Sequence, residues 1–249
     1  MQLIVADIDG CISPEASVAW DLEKFARFAA FARDAAARRD GLPPLTLCTG
    51  RPQPYAEVLA KIFDIRLPIV CENGAVLYTL TDNRSRFGPG VTDAKIASLR
   101  AVRGFIETEL FPKFPEAVYQ FGKEAQLSVF SARPEIFVAM QEAIEAFVAR
   151  EKHEPLIISP SHFYLNISME GVNKGTTLRA LFEELGVSGA EAAGIGDTVG
   201  DLPLREAVGF FACPANAQPE IKAVADYVSP FEDIAGMLDI LEGPVRARL

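Results

Sequence analysis

Leu3-Ile4-Val5-Ala6-Asp7-Ile8-Asp9-Gly10 decides how this chain is read. Four apolar residues ending in Asp-x-Asp-Gly spell a short buried strand that stops at a turn. In an open α/β sheet, ligands bind beyond the carboxyl ends of the strands. Asp7 and Asp9 therefore stand where a ligand would. Two residues of extended chain span roughly 6–7 Å, and a turn at Gly10 can bring both carboxylates to one side of a small substrate. One can then act as nucleophile and the other as general acid and base. The same residues also suit a solvated turn, and Asp-x-Asp occurs in metal-dependent glycosyltransferases. The pair alone leaves all three readings open.

Working outward, the pattern turns helical from about Ser17 to Arg39, where Val18, Leu22, Phe25, Phe28 and Ala32 recur three or four apart. Leu45 to Cys48 reads as a second strand, closed by Thr49-Gly50-Arg51. A helix over Tyr55 to Phe63 and a strand over Pro68 to Cys71 follow. Strands alternating with helices imply parallel pairing. Between about Leu80 and Gly171 the order changes to helix, two strands, helix, two strands. Thr92 and Asp93 cap the first helix. Val118 to Phe130 reads as two strands around Gly122-Lys123, and a second helix follows Pro134. Leu156 to Ile158 and Phe163 to Ile167 read as strands joined through Ser159-Pro160-Ser161. After Lys174 the α/β rhythm returns, with a helix over Thr176 to Leu185 and a strand over Ala192 to Gly196. Shorter strands are expected near Phe210-Phe211 and Tyr227-Val228. The expected fold is a Rossmann-like α/β core with a parallel sheet, formed by residues 1–80 and 172–249. Residues 81–171 form an inserted α+β domain of two helices and an antiparallel sheet.

Three further motifs fall after predicted strands or before a predicted helix. Thr49-Gly50-Arg51 offers a hydroxyl and backbone N–H groups suited to phosphate oxygens, or simply a strand-end turn. Lys174 can neutralise a phosphate and restrain a nucleophilic carboxylate, or lie solvated. Asp197, within Gly194-Ile195-Gly196-Asp197-Thr198-Val199-Gly200-Asp201, can join Asp7 as a hard oxygen ligand for Mg²⁺. Asp201, four residues on, can orient a metal-bound water or the lysine. Either aspartate also suits a helix N-cap.

Taken together, the series Asp-x-Asp-Gly, Thr-Gly-Arg, Asn-Lys-Gly and Gly-Asp-x-x-x-Asp resembles the haloacid dehalogenase superfamily. Glu72-Asn73-Gly74-Ala75, Asp201-Leu202-Pro203-Leu204, Ala215-Asn216-Ala217-Gln218-Pro219-Glu220 and Ala225-Asp226-Tyr227-Val228 resemble its Cof-type branch, whose cap is inserted between the Thr and Lys motifs. The resemblance implies a phosphatase in which Asp7 attacks phosphorus and forms an aspartyl-phosphate. Asp9 would protonate the leaving oxygen and then activate water. Thr49 and Lys174 would hold the phosphoryl group. Mg²⁺ would sit on the Asp7 carboxylate, the Asp9 backbone carbonyl and Asp197, with Asp201 beside it. Gly50, Arg51, Asn73 and the cap would read the substrate, a sugar phosphate or phosphorylated hydroxy acid. Lys123, Arg133 and Asn166 are cap candidates that also read as ordinary surface residues. Cys11 stands where the family usually has Thr, and Gly200 where Asn is frequent. Both should leave activity intact, with Cys11 a small buried filler.

Bulk composition narrows the partners. With 34 acidic against 24 basic side chains the formal net charge is −10, which disfavours nucleic acid and anionic lipid. Four scattered cysteines and two histidines make no zinc pattern. No apolar run approaches the roughly 18 residues of a membrane helix, and no secretory leader is legible. The expectation is a cytoplasmic monomer or homodimer acting on a small phosphorylated molecule. The rivals are a phosphomutase-like phosphotransferase and a non-catalytic phospho-ligand-binding regulator on the same fold.

Overall fold

A computed structural model describes residues 1–15, 18–160 and 163–249. Ser17 and Ser161, where the sequence reading starts a helix and runs a turn, lie outside the described residues. The chain divides into two compact units, Met1–Arg86 with Asn173–Leu249, and Phe87–Val172. In chain order the first segment carries β1 (Leu3–Ala6), α1 (Leu22–Ala36), β2 (Leu45–Leu47), α2 (Gln53–Phe63), β3 (Ile69–Cys71), β4 (Val76–Thr79) and β5 (Arg84–Phe87). Next come α3 (Asp93–Phe105), β6 (Val118–Tyr119), β7 (Leu127–Phe130), α4 (Ile136–Glu151), β8 (Leu156–Pro160) and β9 (Tyr164–Met169). The last segment carries α5 (Lys174–Leu185), β10 (Ala192–Ile195), α6 (Leu202–Arg205), β11 (Phe210–Cys213), α7 (Pro219–Lys222), β12 (Tyr227–Val228) and α8 (Asp233–Ile240).

In the first unit, five parallel strands lie in the order β12-β11-β10-β1-β2. β1 sits second from one edge and is fully buried. Leu3 and Val5 pack with Leu178, Leu181 and Phe182 of α5 and with Phe211. Alternation along the strand leaves Ile4 and Ala6 for the opposite face. Each buried Leu, Ile, Val or Phe side chain contributes roughly 1.5–3 kcal/mol. That is why so short a strand is stable, and why its polar successor Asp7 is forced to the sheet's rim.

The structure shifts several expected boundaries for local reasons. α1 begins at Leu22 because the Asp21 side chain accepts the Lys24 N–H at 3.0 Å, and Val18 stays exposed ahead of the helix. Among the described residues, β3 touches the parallel sheet through one bridge, Cys48 with Val70. Its ladder runs antiparallel to β4, in a β3-β4-β5 sheet that strand-helix alternation does not foretell. Ser159 and Pro160 belong to β8 instead of a connecting turn.

The second unit is a four-stranded antiparallel sheet in the order β6-β7-β9-β8, with α3 and α4 packed on one another. Leu127, Val129, Leu165, Ile167 and Met169 alternate into its core with Ile96, Leu99, Met140 and Ile144. No helix among the described residues is long and apolar enough to cross a membrane.

Candidate active site

The parallel register brings three motifs to one rim. Ala6 pairs with Ile195 and Leu47, so Asp7, Asp197 and Thr49 each follow a strand end within two residues. The backbone stays tied there. Asp7 N–H donates to Ile195 O at 2.9 Å, and Cys48 N–H donates to Ala6 O at 2.9 Å.

Lys174 arrives from α5. Asn173 caps that helix in a capping box with Thr176, and Lys174 is its first helical residue. A cation at a helix N-terminus opposes the helix dipole, so it needs anionic partners. It has two. Its Nζ lies 2.8 Å from Asp7 Oδ2 and 2.6 Å from Asp201 Oδ1, and all three groups are buried. The other Asp201 oxygen accepts the N–H groups of Asp197 and Thr198 at 3.0 and 3.2 Å. Asp201 is thus committed to the lysine and to the turn after β10.

Asp7, Asp197 and Asp201 each bring a carboxylate oxygen within 4.8 Å of the others. Three buried acids against one lysine leave excess negative charge. Burial first, then the Asp201 charge, raises the Asp7 pKa to about 7 despite Lys174. Burial, with Asp7 and Asp201 adding to it, raises Asp197 to about 9. Burial also works against the Lys174 charge, but the two carboxylates overcome it and hold its pKa well above the ordinary value. Among the described residues Asp197 Oδ1 is a buried oxygen with no hydrogen-bond partner. A hard divalent cation suits this donor set: oxygen ligands, surplus charge and an unsatisfied acceptor.

Gly10 makes the close approach possible. Its φ is +68°, and a Cβ there would stand 2.0 Å from Asp197 Oδ2. Gly74 does a similar job between motifs. At φ +107° its missing Cβ leaves room for the Asn173 carbonyl, and its own carbonyl accepts the Thr177 hydroxyl at 2.8 Å. Asn73, in the same turn, donates its N–H to Thr49 O at 3.0 Å. Glu72-Asn73-Gly74 therefore pins the Thr49 turn to the start of α5.

The remaining residues singled out in the sequence fall in different places. Thr49 is fully buried, and its Oγ1 accepts the Arg51 N–H at 3.1 Å. The Asn73 amide stands just over the Gly50 Cα, where a Cβ would meet it at 3.1 Å. The Asp9 side chain lies outside the three-acid cluster and pairs with Arg51, Nη2 to Oδ1 at 2.6 Å. Cys11 is fully buried, and burial pushes its thiol well above the ordinary range, as a filler requires. In the second unit Lys123 donates to Ser128 Oγ at 2.7 Å, and that hydroxyl donates to Asn166 Oδ1 at 2.7 Å. Arg133 instead pairs with Glu116 and Glu135 at 3.2 and 3.0 Å on the surface. Sequence reasoning gave Asn216 no task. Its Nδ2 donates to Gly10 O and its Oδ1 accepts the Asp233 N–H, both at 2.8 Å. The only signal was its place in a family-like stretch.

A family model described as haloacid dehalogenase-like hydrolase matches residues 111–241, just over half of the chain, including Lys174, Asp197 and Asp201. The chain is similar to the phosphoglycolate phosphatase of Archaeoglobus fulgidus, 27% identical over 201 residues, covering 80% of this chain and 82% of that enzyme. It is also similar to the phosphoglycolate phosphatase of Methanococcoides burtonii, 25% identical over 245 residues, covering 97% and 96%. Among solved structures, a haloacid dehalogenase-like hydrolase from Bacteroides thetaiotaomicron matches with a TM-score of 0.70 at 17% identity, covering 97% of this chain and 98% of that one. That last likeness is one of fold.

Proposed function

The chain belongs to the haloacid dehalogenase-like hydrolases, and we propose that it is a phosphatase of the Cof type that runs a magnesium-dependent reaction through Asp7. The observation that carries the proposal is the buried Asp197 Oδ1, unpartnered beside Asp7 in a three-acid cluster that holds a single lysine. Asp7 and Asp197 would hold Mg²⁺ through their carboxylates, with the Asp9 carbonyl as a third donor. The bound ion would neutralise charge on the phosphoryl oxygens.

Asp7 would attack phosphorus, forming a carboxyl O–P bond as the ester P–O bond breaks. Asp9 would give its proton to the departing oxygen. It would then take a proton from a water that attacks phosphorus, breaking the Asp7–phosphate bond and releasing phosphate. Lys174, fixed by Asp201, would hold one Asp7 oxygen and face the transferring group. The Thr49 hydroxyl and the Gly50 turn would receive phosphoryl oxygens.

The relatives' names support a small phosphorylated hydroxy acid as the substrate class. We assign substrate selection to the Phe87–Val172 unit as a cap, together with Asn73. Four free, buried cysteines suit a reducing, cytoplasmic setting.

A screen of phosphorylated metabolites with Mg²⁺, including phosphoglycolate, tests the reading beside Asp7→Asn. The expected result is phosphate release by wild type, none after chelation, and none from Asp7→Asn. Release by Asp7→Asn at the wild-type rate would overturn the role given to Asp7.

A further inference from the structure

The Asp9 carboxylate is held by a fork. Arg51 Nη2 stands 2.6 Å from Oδ1 and Nε stands 2.8 Å from Oδ2. Among the described residues, Arg51 supplies every hydrogen bond that this carboxylate receives. The arginine is itself built in. Its N–H donates to Thr49 Oγ1 at 3.1 Å, and its carbonyl accepts the Glu72 N–H at 3.1 Å. Its guanidinium carbon lies 5.0 Å from the centre of the Tyr55 ring, at the start of α2. Two parallel N–H···O contacts fix the plane of a carboxylate as well as its position. A lysine supplies only a point charge.

We infer that Arg51 is a positioning residue that acts through Asp9, aiming its carboxylate at the oxygen that leaves. The sequence reading made Arg51 a substrate reader; the geometry ties it to the acid instead. This inference rests on the role given to Asp9 in the proposed reaction. If Arg51 works only through Asp9, removing it does no further harm once Asp9 has lost its function. It also matters only where the leaving oxygen needs a proton. An alkoxide leaving group needs one, whereas p-nitrophenolate departs without.

The experiment is a double-mutant cycle on kcat/KM, which reports the reaction up to leaving-group departure, for phosphoglycolate and for p-nitrophenyl phosphate. General acid catalysis contributes about 10²–10⁴-fold, so Asp9→Asn should cost that much with phosphoglycolate and far less with the aryl ester. Arg51→Gln should show the same split at a smaller size, roughly 10-fold or more. Arg51→Lys should recover only part of the loss. Arg51→Gln on the Asp9→Asn background should cost less than about 2-fold, because the two act as one unit. Tyr55→Leu, which leaves the fork atoms in place, should give a weaker form of the same split and controls for misfolding in the arginine variants. Losses that multiply in the double variant, or an equal loss on both esters with a raised KM, would overturn the inference and return Arg51 to substrate binding. Absence of any split in Asp9→Asn alone would sink the acid role itself, and the inference with it.

Discussion

Lys174 Nζ lies 2.6 Å from Asp201 Oδ1, both buried, at the N-terminal end of α5 where the helix dipole disfavours a cation. The pair persists because Asp201 is anchored by two backbone N–H groups and Asp7 adds a second carboxylate on the lysine. Removing one member of a buried pair costs about 3–5 kcal/mol, because the other is left uncompensated. Lys174→Met should lose that much in urea unfolding at pH 8 and lose phosphatase activity with it. At pH 5 the loss should be smaller, since Asp7, with its pKa at about 7, is then largely protonated and leaves less charge for the lysine to offset. A change below about 1 kcal/mol at pH 8 would show that the pair is not holding the site.

The three-acid cluster sets a pH dependence with a definite sign. Asp7 at about 7 and Asp197 at about 9 both lie above the ordinary 3.8, mainly through burial. The folded state then binds protons that the unfolded state has released, so folding weakens as pH rises. Stability from these groups is complete below about pH 4 and is lost as pH climbs, through about 7 for Asp7 and 9 for Asp197. Metal-free protein in chelator should therefore melt at a falling temperature between pH 6 and pH 9. Excess Mg²⁺ should flatten that fall, because a ligand that binds only the folded state stabilises it. Asp197→Asn should flatten it without metal and blunt the response to Mg²⁺. Identical melting curves with and without Mg²⁺ at pH 9 would remove the metal from Asp7 and Asp197.

How much of this was legible beforehand follows from what kind of contact each residue makes. Asp7, Thr49 and Asp197 sit at strand ends, and strand ends are written in apolar runs that stop abruptly, so sequence finds them. Lys174 was legible as a residue just ahead of a helix expected from Thr176, although its burial and the Asn173 cap that starts the helix at Lys174 itself were not. The Asp9–Arg51 fork and the Asn216 anchor join residues 42 and 206 positions apart, and no local period encodes such pairs. The β3-β4-β5 sheet was missed because alternation of strands and helices argues for parallel pairing, while β4 folds back antiparallel on β3. The start of α1 was misplaced because apolar spacing runs on through Val18, whereas the Asp21 cap sets the actual first turn.

Gly10 offers a test of geometry separate from charge. Its φ of +68° alone would strain an alanine by about 1–3 kcal/mol. A Cβ 2.0 Å from Asp197 Oδ2 would also push that carboxylate away from Asp7. Gly10→Ala should therefore lower stability by at least that amount and abolish Mg²⁺-dependent turnover. Gly41→Ala, with φ +76° and nothing within 4 Å of a new Cβ, should carry only the strain and keep full activity. Equal activity in the two variants would mean that the approach of Asp197 to the first loop is not needed.

Asn216 joins the first loop to the start of α8. Its amide N–H₂ holds the Gly10 carbonyl and its amide oxygen holds the Asp233 N–H. Asn216→Asp keeps an acceptor for Asp233 but sets a carboxylate against the Gly10 carbonyl, so the loop loses its tether and meets repulsion. Asn216→Ala loses both bonds, each worth about 1 kcal/mol net. If the tether serves only stability, activity in the two variants should simply follow their melting temperatures. If it holds Asp9 and Gly10 in place for the reaction, kcat/KM should fall about 10- to 100-fold in both variants at a temperature where both are fully folded. Steady-state kinetics beside melting temperatures separates the two, and a rank order in activity that simply follows melting would leave Asn216 a structural anchor.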